Sequence, residues 1–177
     1  MSDNEPRRPM LYIVCGLPFA GKTTMSSELA ESLGRAAHVE IDQVNTERGL
    51  GINAAPISPM EWAETYRMAY QRADEELSTG YDVVFDATNY SRAQRDILRI
   101  NANRQGADSA VIFVDVPAEE CRERWRANRV SGARYDVLDE DFERVVDRFD
   151  PPRPDERVIL FLPGMSVIDL MTGLGQV

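Results

Sequence analysis

Lysine is nearly missing from this chain: its 177 residues hold one, Lys22, beside 19 arginines. Positive charge in general is short, with 20 basic residues against 30 acidic ones and a formal net charge of -10. A protein that holds long stretches of nucleic acid draws affinity from released counterions and carries a basic surface to do so. The balance here points away from that class and leaves room only for a short local groove, such as the arginines from 122 to 134. No stretch approaches the roughly 18 apolar residues of a membrane span, and the run MLYIVC after the polar MSDNEPRRPM is too short for the core of a secretion signal. The expected setting is cytoplasmic, away from membranes. Cys15 and Cys121 stand apart, with neither CxxC spacing nor the density of a disulfide scaffold, and read as buried free thiols. Internal repeats and low-complexity tracts are absent too. What is there, 43% hydrophobic and 28% charged residues over this length, suits a single globular domain with one core.

Five apolar, β-branched runs recur: residues 10–15 (MLYIVC), 37–41 (AHVEI), 82–86 (DVVFD), 109–116 (SAVIFVDV) and 157–162 (RVILFL). Helical periodicity separates each from the next, and that alternation implies a parallel sheet covered on both faces. Ser58, Pro59 and Glu61 spell a capping box before a helix over 58–79, in which Trp62, Tyr66, Tyr70, Ala73 and Leu77 form a stripe that reads as core, with room for one aromatic to line a pocket. A second box, Ser91 to Gln94, opens a helix expected to bury Ile97, Leu98 and Ala102. Leu138, Phe142, Val145, Val146 and Phe149 are amphipathic, and DPPRP at 150–154 ends that helix. Residues 46–57 read as a mobile loop, 1–9 as a flexible N-terminus, and the tail after Pro163 as either a short strand or a helix.

Residues 16–23, GLPFAGKT, match GxxxxGK[ST] between the first strand signal and a helical segment. Glycines at 16 and 21 let successive backbone N–H groups from Gly16, Leu17, Pro18, Phe19, Ala20 and Gly21 onward converge on phosphate oxygens, Pro18 contributing shape and no donor, and the following helix N-terminus, with Thr23 and Thr24, adds a fixed positive field. Lys22 must then thread between two phosphates as a compact charge on a flexible stem, a task for which the planar guanidinium fork is too bulky. This accounts for the lone lysine: Arg serves everywhere except inside the tight loop. Thr23 would offer its hydroxyl to Mg2+.

Further residues narrow the chemistry. Asp42, at the end of VEID, lies at the C-terminal edge of the second strand, the edge that carries the phosphate loop; it can orient an attacking hydroxyl and accept its proton, or merely cap the strand. Asp86, ending the third strand, can reach the Mg2+ shell, with Asp115 as a competitor that can equally cap a helix. Asn89 and Arg95 follow Asp86 closely enough to join an acceptor pocket, although an exposed helix face explains Arg95 as well. Five arginines, Arg122, Arg124, Arg126, Arg129 and Arg134, follow the fourth strand. Arg124 and Arg129 are taken as the pair that neutralises a transferring phosphoryl group, the rest as solvated or salt-bridged; Arg126 and Arg153 are candidates to stack on the base.

In this order and spacing, GLPFAGKT, the strand-end Asp42, DATN with a following Arg, DVP with an arginine-rich helix, and RFDPP resemble the P-loop kinases that include polynucleotide 5'-kinases, chloramphenicol phosphotransferase and zeta-type toxins, grouped as AAA-type ATP-binding domains. The resemblance runs from about Met10 to Leu162. It implies an α/β fold with a five-stranded parallel sheet of order 2-3-1-4-5 and a helical Arg-rich lid at about 118–135. It also implies ATP and Mg2+ as cofactors, Asp42 as general base, Lys22 and Thr23 serving nucleotide and metal, and Arg124 and Arg129 as a clamp. Polynucleotide kinases of this group place an Arg three residues after that Asp; here Asn45 stands there, with Arg48 one turn on as a substitute. The expected reaction is transfer of the γ-phosphate of MgATP to a hydroxyl of a small molecule. A 5'-hydroxyl nucleic-acid end is the second reading. A nucleotide-dependent switch is the third, although the guanine-reading NKxD tetrapeptide is missing. Oligomeric state stays open.

Overall fold

The computed structural model describes residues 7–50 and 56–175. Five strands, β1 (Met10–Cys15), β2 (Ala36–Glu40), β3 (Asp82–Asp86), β4 (Asp108–Val114) and β5 (Val158–Phe161), form one parallel sheet in the order β2-β3-β1-β4-β5. Because successive side chains of a strand point to opposite faces, β1 feeds two cores. Leu11, Ile13 and Cys15 pack under α3 (Pro59–Ser78) and α4 (Arg92–Arg104), while Tyr12 and Val14 pack under α1 (Lys22–Leu33), α5 (Ala118–Ser131), α6 (Asp139–Arg148) and α7 (Val167–Leu174). The central strands β1 and β3 are buried almost throughout, which is why they read as unbroken apolar runs.

Both expected capping boxes form: the Ser58 hydroxyl accepts from the Glu61 N–H, and that of Ser91 from the Gln94 N–H. A third box, Ser166 with Asp169, starts α7 and resolves the tail as a helix. Two core assignments are corrected. Ile97 is 44% exposed, because the stripe that α4 buries runs through Arg95, Leu98 and Ala102, and Ile97 is turned about 100° from Leu98. Leu138 is the N-cap of α6 and is also 44% exposed, whereas Phe142 is fully buried against Trp125, ring on ring at 4.6 Å.

The second strand stops at Glu40, so Asp42 sits in the first turn of a short helix, α2 (Ile41–Glu47), rather than at the strand's end. Of the expected mobile loop 46–57, Thr46 and Glu47 belong to α2 and residues 51–55 lie outside the described residues. Residues 1–6 of the expected flexible N-terminus also lie outside them. Residues 7–9 are tied down: Arg7 pairs with the buried Asp82, Arg8 donates to the Gly106 carbonyl at 3.0 Å, and the Pro9 carbonyl accepts from the Asp108 N–H. Among the described residues no helix is long and apolar enough to cross a membrane.

Candidate functional site

The phosphate loop leaves β1 at Gly16. A Cβ there would stand 2.7 Å from the Val114 carbonyl oxygen and 3.3 Å from its Cβ, so no side chain fits where β1 and β4 diverge. Phe19 (φ 64°) and Gly21 (φ 94°) both take left-handed conformations, which curl the loop onto the start of α1. Lys22 folds back over the loop and donates to the Leu17 carbonyl at 2.8 Å. Burial holds its ammonium below the ordinary lysine range, opposed by the carboxylates of Asp86 and Asp42. Leu17 and Ala20 turn their side chains into the core and offer backbone only; Thr24 faces outward.

Beside the loop opens a cavity of about 440 Å³, to which Lys22, Thr23, Asp42 and Asp86 contribute side chains. The parallel register places Glu40 opposite Asp86, and the Thr23 hydroxyl lies 3.5 Å from the Glu40 carboxylate. Asp86 is 3% exposed and meets the His38 ring at 3.4 Å. Crowding has a chemical result. Burial and the neighbouring Asp86 push the Asp42 carboxyl above its usual range, opposed by Lys22 and Arg134. Burial, Asp86 and Asp42 do the same to Glu40, opposed by His38 and Arg134. A raised carboxyl is the better proton acceptor, as general-base catalysis asks. Among the described residues no three His, Cys, Asp or Glu side chains are grouped to hold a metal ion. The Thr23 hydroxyl with the Asp86 carboxylate nevertheless suits Mg2+, which takes one or two protein oxygens and completes its shell with water and phosphates.

The remaining expected site residues divide. Arg124 does reach the phosphate loop, donating to the carbonyls of Phe19 and Ala20 at 3.2 Å each, with Glu120 at 2.5 Å on its other side. Arg129 does not face the cavity. Its guanidinium lies over the Trp125 ring at 4.2 Å and is held by Asp136 at 3.2 Å and Asp139 at 2.5 Å. Arg126 reaches Glu119 on an exposed surface, and Arg153 is exposed near Asp150. Of the five arginines, the one that lines the cavity is Arg134, expected to be solvated or salt-bridged. The reason is Gly132, whose left-handed conformation ends α5, so that Arg134 lies beyond the helix in a segment folded back by Asn128: the Asn128 amide donates to the Arg134 carbonyl at 3.1 Å and accepts from its N–H at 2.9 Å.

Four expected acceptor residues are spent on structure. Asn45 is 3% exposed and accepts a 2.6 Å hydrogen bond from the Thr65 hydroxyl. Arg48 donates to the Glu61 carbonyl at 2.6 Å and to Thr65, which ties α2 to α3. Asn89, fully buried with φ 45°, donates to the Val14 carbonyl at 2.7 Å beneath the phosphate loop. Arg95, also fully buried, grips Glu156 through two bonds of 2.7 and 3.1 Å and donates to the carbonyls of Asn89 and Asp150. Asp115 is exposed and lies off the cavity. Sequence reasoning missed Glu40 and Asn128, assigned Arg134 to solvent or a salt bridge, and allowed one aromatic of the Trp62 stripe to line a pocket where both Trp62 and Tyr66 do. The two thiols are buried and free, and burial pushes that of Cys15 up to about 12.

A family model described as an AAA domain matches residues 11–152. The protein kti12 of Schizosaccharomyces pombe is 32% identical over 152 residues, covering 80% of this chain and 52% of that protein; the chain spans about half the length of the curated relatives of that name. In fold, the structure is similar to Chaetomium thermophilum Kti12 in complex with ADP-AlF3 (TM-score 0.74, 21% identity, 95% and 96% of the two chains). It is similar also to a putative kinase of Chloroflexus aurantiacus (TM-score 0.76, 22% identity, 97% of each chain).

Proposed function

This chain belongs to the AAA domain family, and on that premise we propose that it is an ATP-dependent phosphotransferase that moves the γ-phosphate of MgATP to a hydroxyl of a small molecule. The observation that carries the reading is one cavity that joins the Lys22 phosphate loop to a carboxylate, Asp42, made more basic by its surroundings. Backbone N–H groups of residues 16–23, Pro18 excepted, and the Lys22 ammonium hold the phosphates. Thr23 and Asp86 would hold Mg2+, which when bound offsets phosphate charge. Asp42 orients the acceptor hydroxyl and takes its proton as the oxygen attacks phosphorus. Arg134 faces the charge that develops on the transferring group, in the part first expected of Arg129, while Arg124 braces the loop. Most of the rate comes from positioning and charge compensation.

A nucleotide-driven ATPase without an acceptor is the second reading, favoured by the likeness to Kti12, whose structure holds ADP-AlF3. The test is acceptor-dependent transfer of labelled γ-phosphate from MgATP, wild type beside Asp42→Asn. The expected outcome is intact nucleotide binding in both and a loss of transfer of about 10²–10⁴-fold in the variant, the usual worth of a general base. Equal transfer rates would remove Asp42 from the mechanism.

A further inference from the structure

The acceptor can be narrowed further, on the premise that the site transfers phosphate. We propose that the acceptor is an uncharged alcohol with a flat aromatic or heteroaromatic body lying along Trp62 and Tyr66, and not a phosphorylated sugar or a nucleic-acid end.

Shape is the first argument. Trp62 and Tyr66 stand one helical turn apart on α3 and both line the cavity, with ring centroids 6.3 Å apart. The row continues inward from Tyr66 to Tyr70 at 5.9 Å and from Tyr70 to the buried Phe85 of β3 at 5.6 Å, stacked. A ring braced by further rings down to the sheet is a preformed surface, and aromatic faces recruit flat partners in offset or tilted contact. Tyr135 and Leu138 also line the cavity. Asp42, Tyr66 and Tyr135 line the same cavity, so a hydroxyl aimed at Asp42 has the body that bears it among aromatic side chains.

Charge is the second. An acceptor that carries its own phosphate needs a cation, and the cations that line the cavity are already engaged. Arg144 pairs with Asp141, while Lys22 and Arg134 serve the nucleotide's phosphates in the mechanism proposed above. Arg48, placed by sequence where an acceptor phosphate would be met, is turned onto Glu61 and Thr65. With Glu40, Asp42, Asp86 and Asp141 on the walls, a second anion beside ATP meets repulsion without compensation.

The experiment offers MgATP labelled at the γ position with 2-phenylethanol, thymidine, glucose, glucose 6-phosphate and a 5'-hydroxyl oligonucleotide. Wild type is compared with Trp62→Leu and the ring-retaining Trp62→Phe. Label is expected on the phenylethanol or thymidine hydroxyl. In Trp62→Leu, KM for that alcohol should rise tenfold or more while KM for ATP stays within about twofold, and Trp62→Phe should recover most of the loss. Label on glucose, glucose 6-phosphate or the oligonucleotide in preference to both aromatic alcohols would overturn the aromatic acceptor and leave phosphotransfer standing. Labelled inorganic phosphate with no labelled alcohol of any kind would overturn phosphotransfer itself.

Discussion

Removing the guanidinium of Arg95 separates a structural role from a substrate role at a position where sequence allowed either. Arg95 and Glu156 are both without exposed side-chain surface and are joined by two hydrogen bonds. Breaking a buried pair by deleting one partner costs about 3–5 kcal/mol, because the other charge stays buried without compensation. Unfolding entropy of about 2.1 cal/mol/K per residue gives roughly 0.37 kcal/mol/K for a chain of this length, so Arg95→Met should lower Tm by about 8–13 °C. Burial alone would push Glu156 up, but hydrogen bonds from Arg95 and the Arg153 N–H, with the charges of Arg95 and Arg99, hold it below the usual carboxylate range. A folded-state pKa below the unfolded one gives stability that is present above the unfolded value and is lost as pH falls through the folded one. The gap in Tm between wild type and variant should therefore narrow in acid. The double variant Arg95→Met with Glu156→Leu should recover much of the loss, since no charge is then stranded. Calorimetry across pH reads all three. An unchanged Tm together with a raised acceptor KM would refute the reasoning and return Arg95 to the substrate.

Other outcomes follow from the same geometry. Gly16→Ala should lose nucleotide binding in titration calorimetry, because its Cβ would press on the Val114 carbonyl at 2.7 Å. Lys22→Met should cost transfer about 10²–10³-fold, as loss of one donor to a developing oxyanion does, measured as steady-state transfer at saturating ATP. Arg134→Gln removes a charge that lowers the Asp42 pKa. The base must be ionised to act, so the acidic limb of the rate against pH should move upward in that variant.

The sheet was legible because buried parallel strands leave unbroken apolar runs, and GLPFAGKT because a phosphate loop permits few residue types. The Ser58 and Ser91 caps were legible from short-range hydrogen bonding, whereas the Ser166 cap of α7 went unread. The acceptor side was not, since its residues are chosen by contacts between distant parts of the chain. Arg48 turns toward Thr65 of α3, and Arg95 finds Glu156 sixty-one residues on. Neither partner is marked locally. Arg134 did carry a local mark: Gly132, two residues earlier, ends α5 and takes Arg134 off the helical spacing used to choose between the five arginines. Periodicity read the Trp62 and Tyr66 stripe as core, with one aromatic free to line a pocket but no sign of which, because a cavity wall and a packed interface use the same face of a helix.

The most direct test of phosphotransfer to an alcohol is turnover of MgATP in water enriched in oxygen-18, with the aromatic alcohols present. Attack by an alcohol oxygen yields a phosphate ester without solvent oxygen, and this is the expected product, falling away in Asp42→Asn. Inorganic phosphate carrying one oxygen-18 as the sole product, with or without the alcohols, would mean that water is the acceptor and would contradict the account.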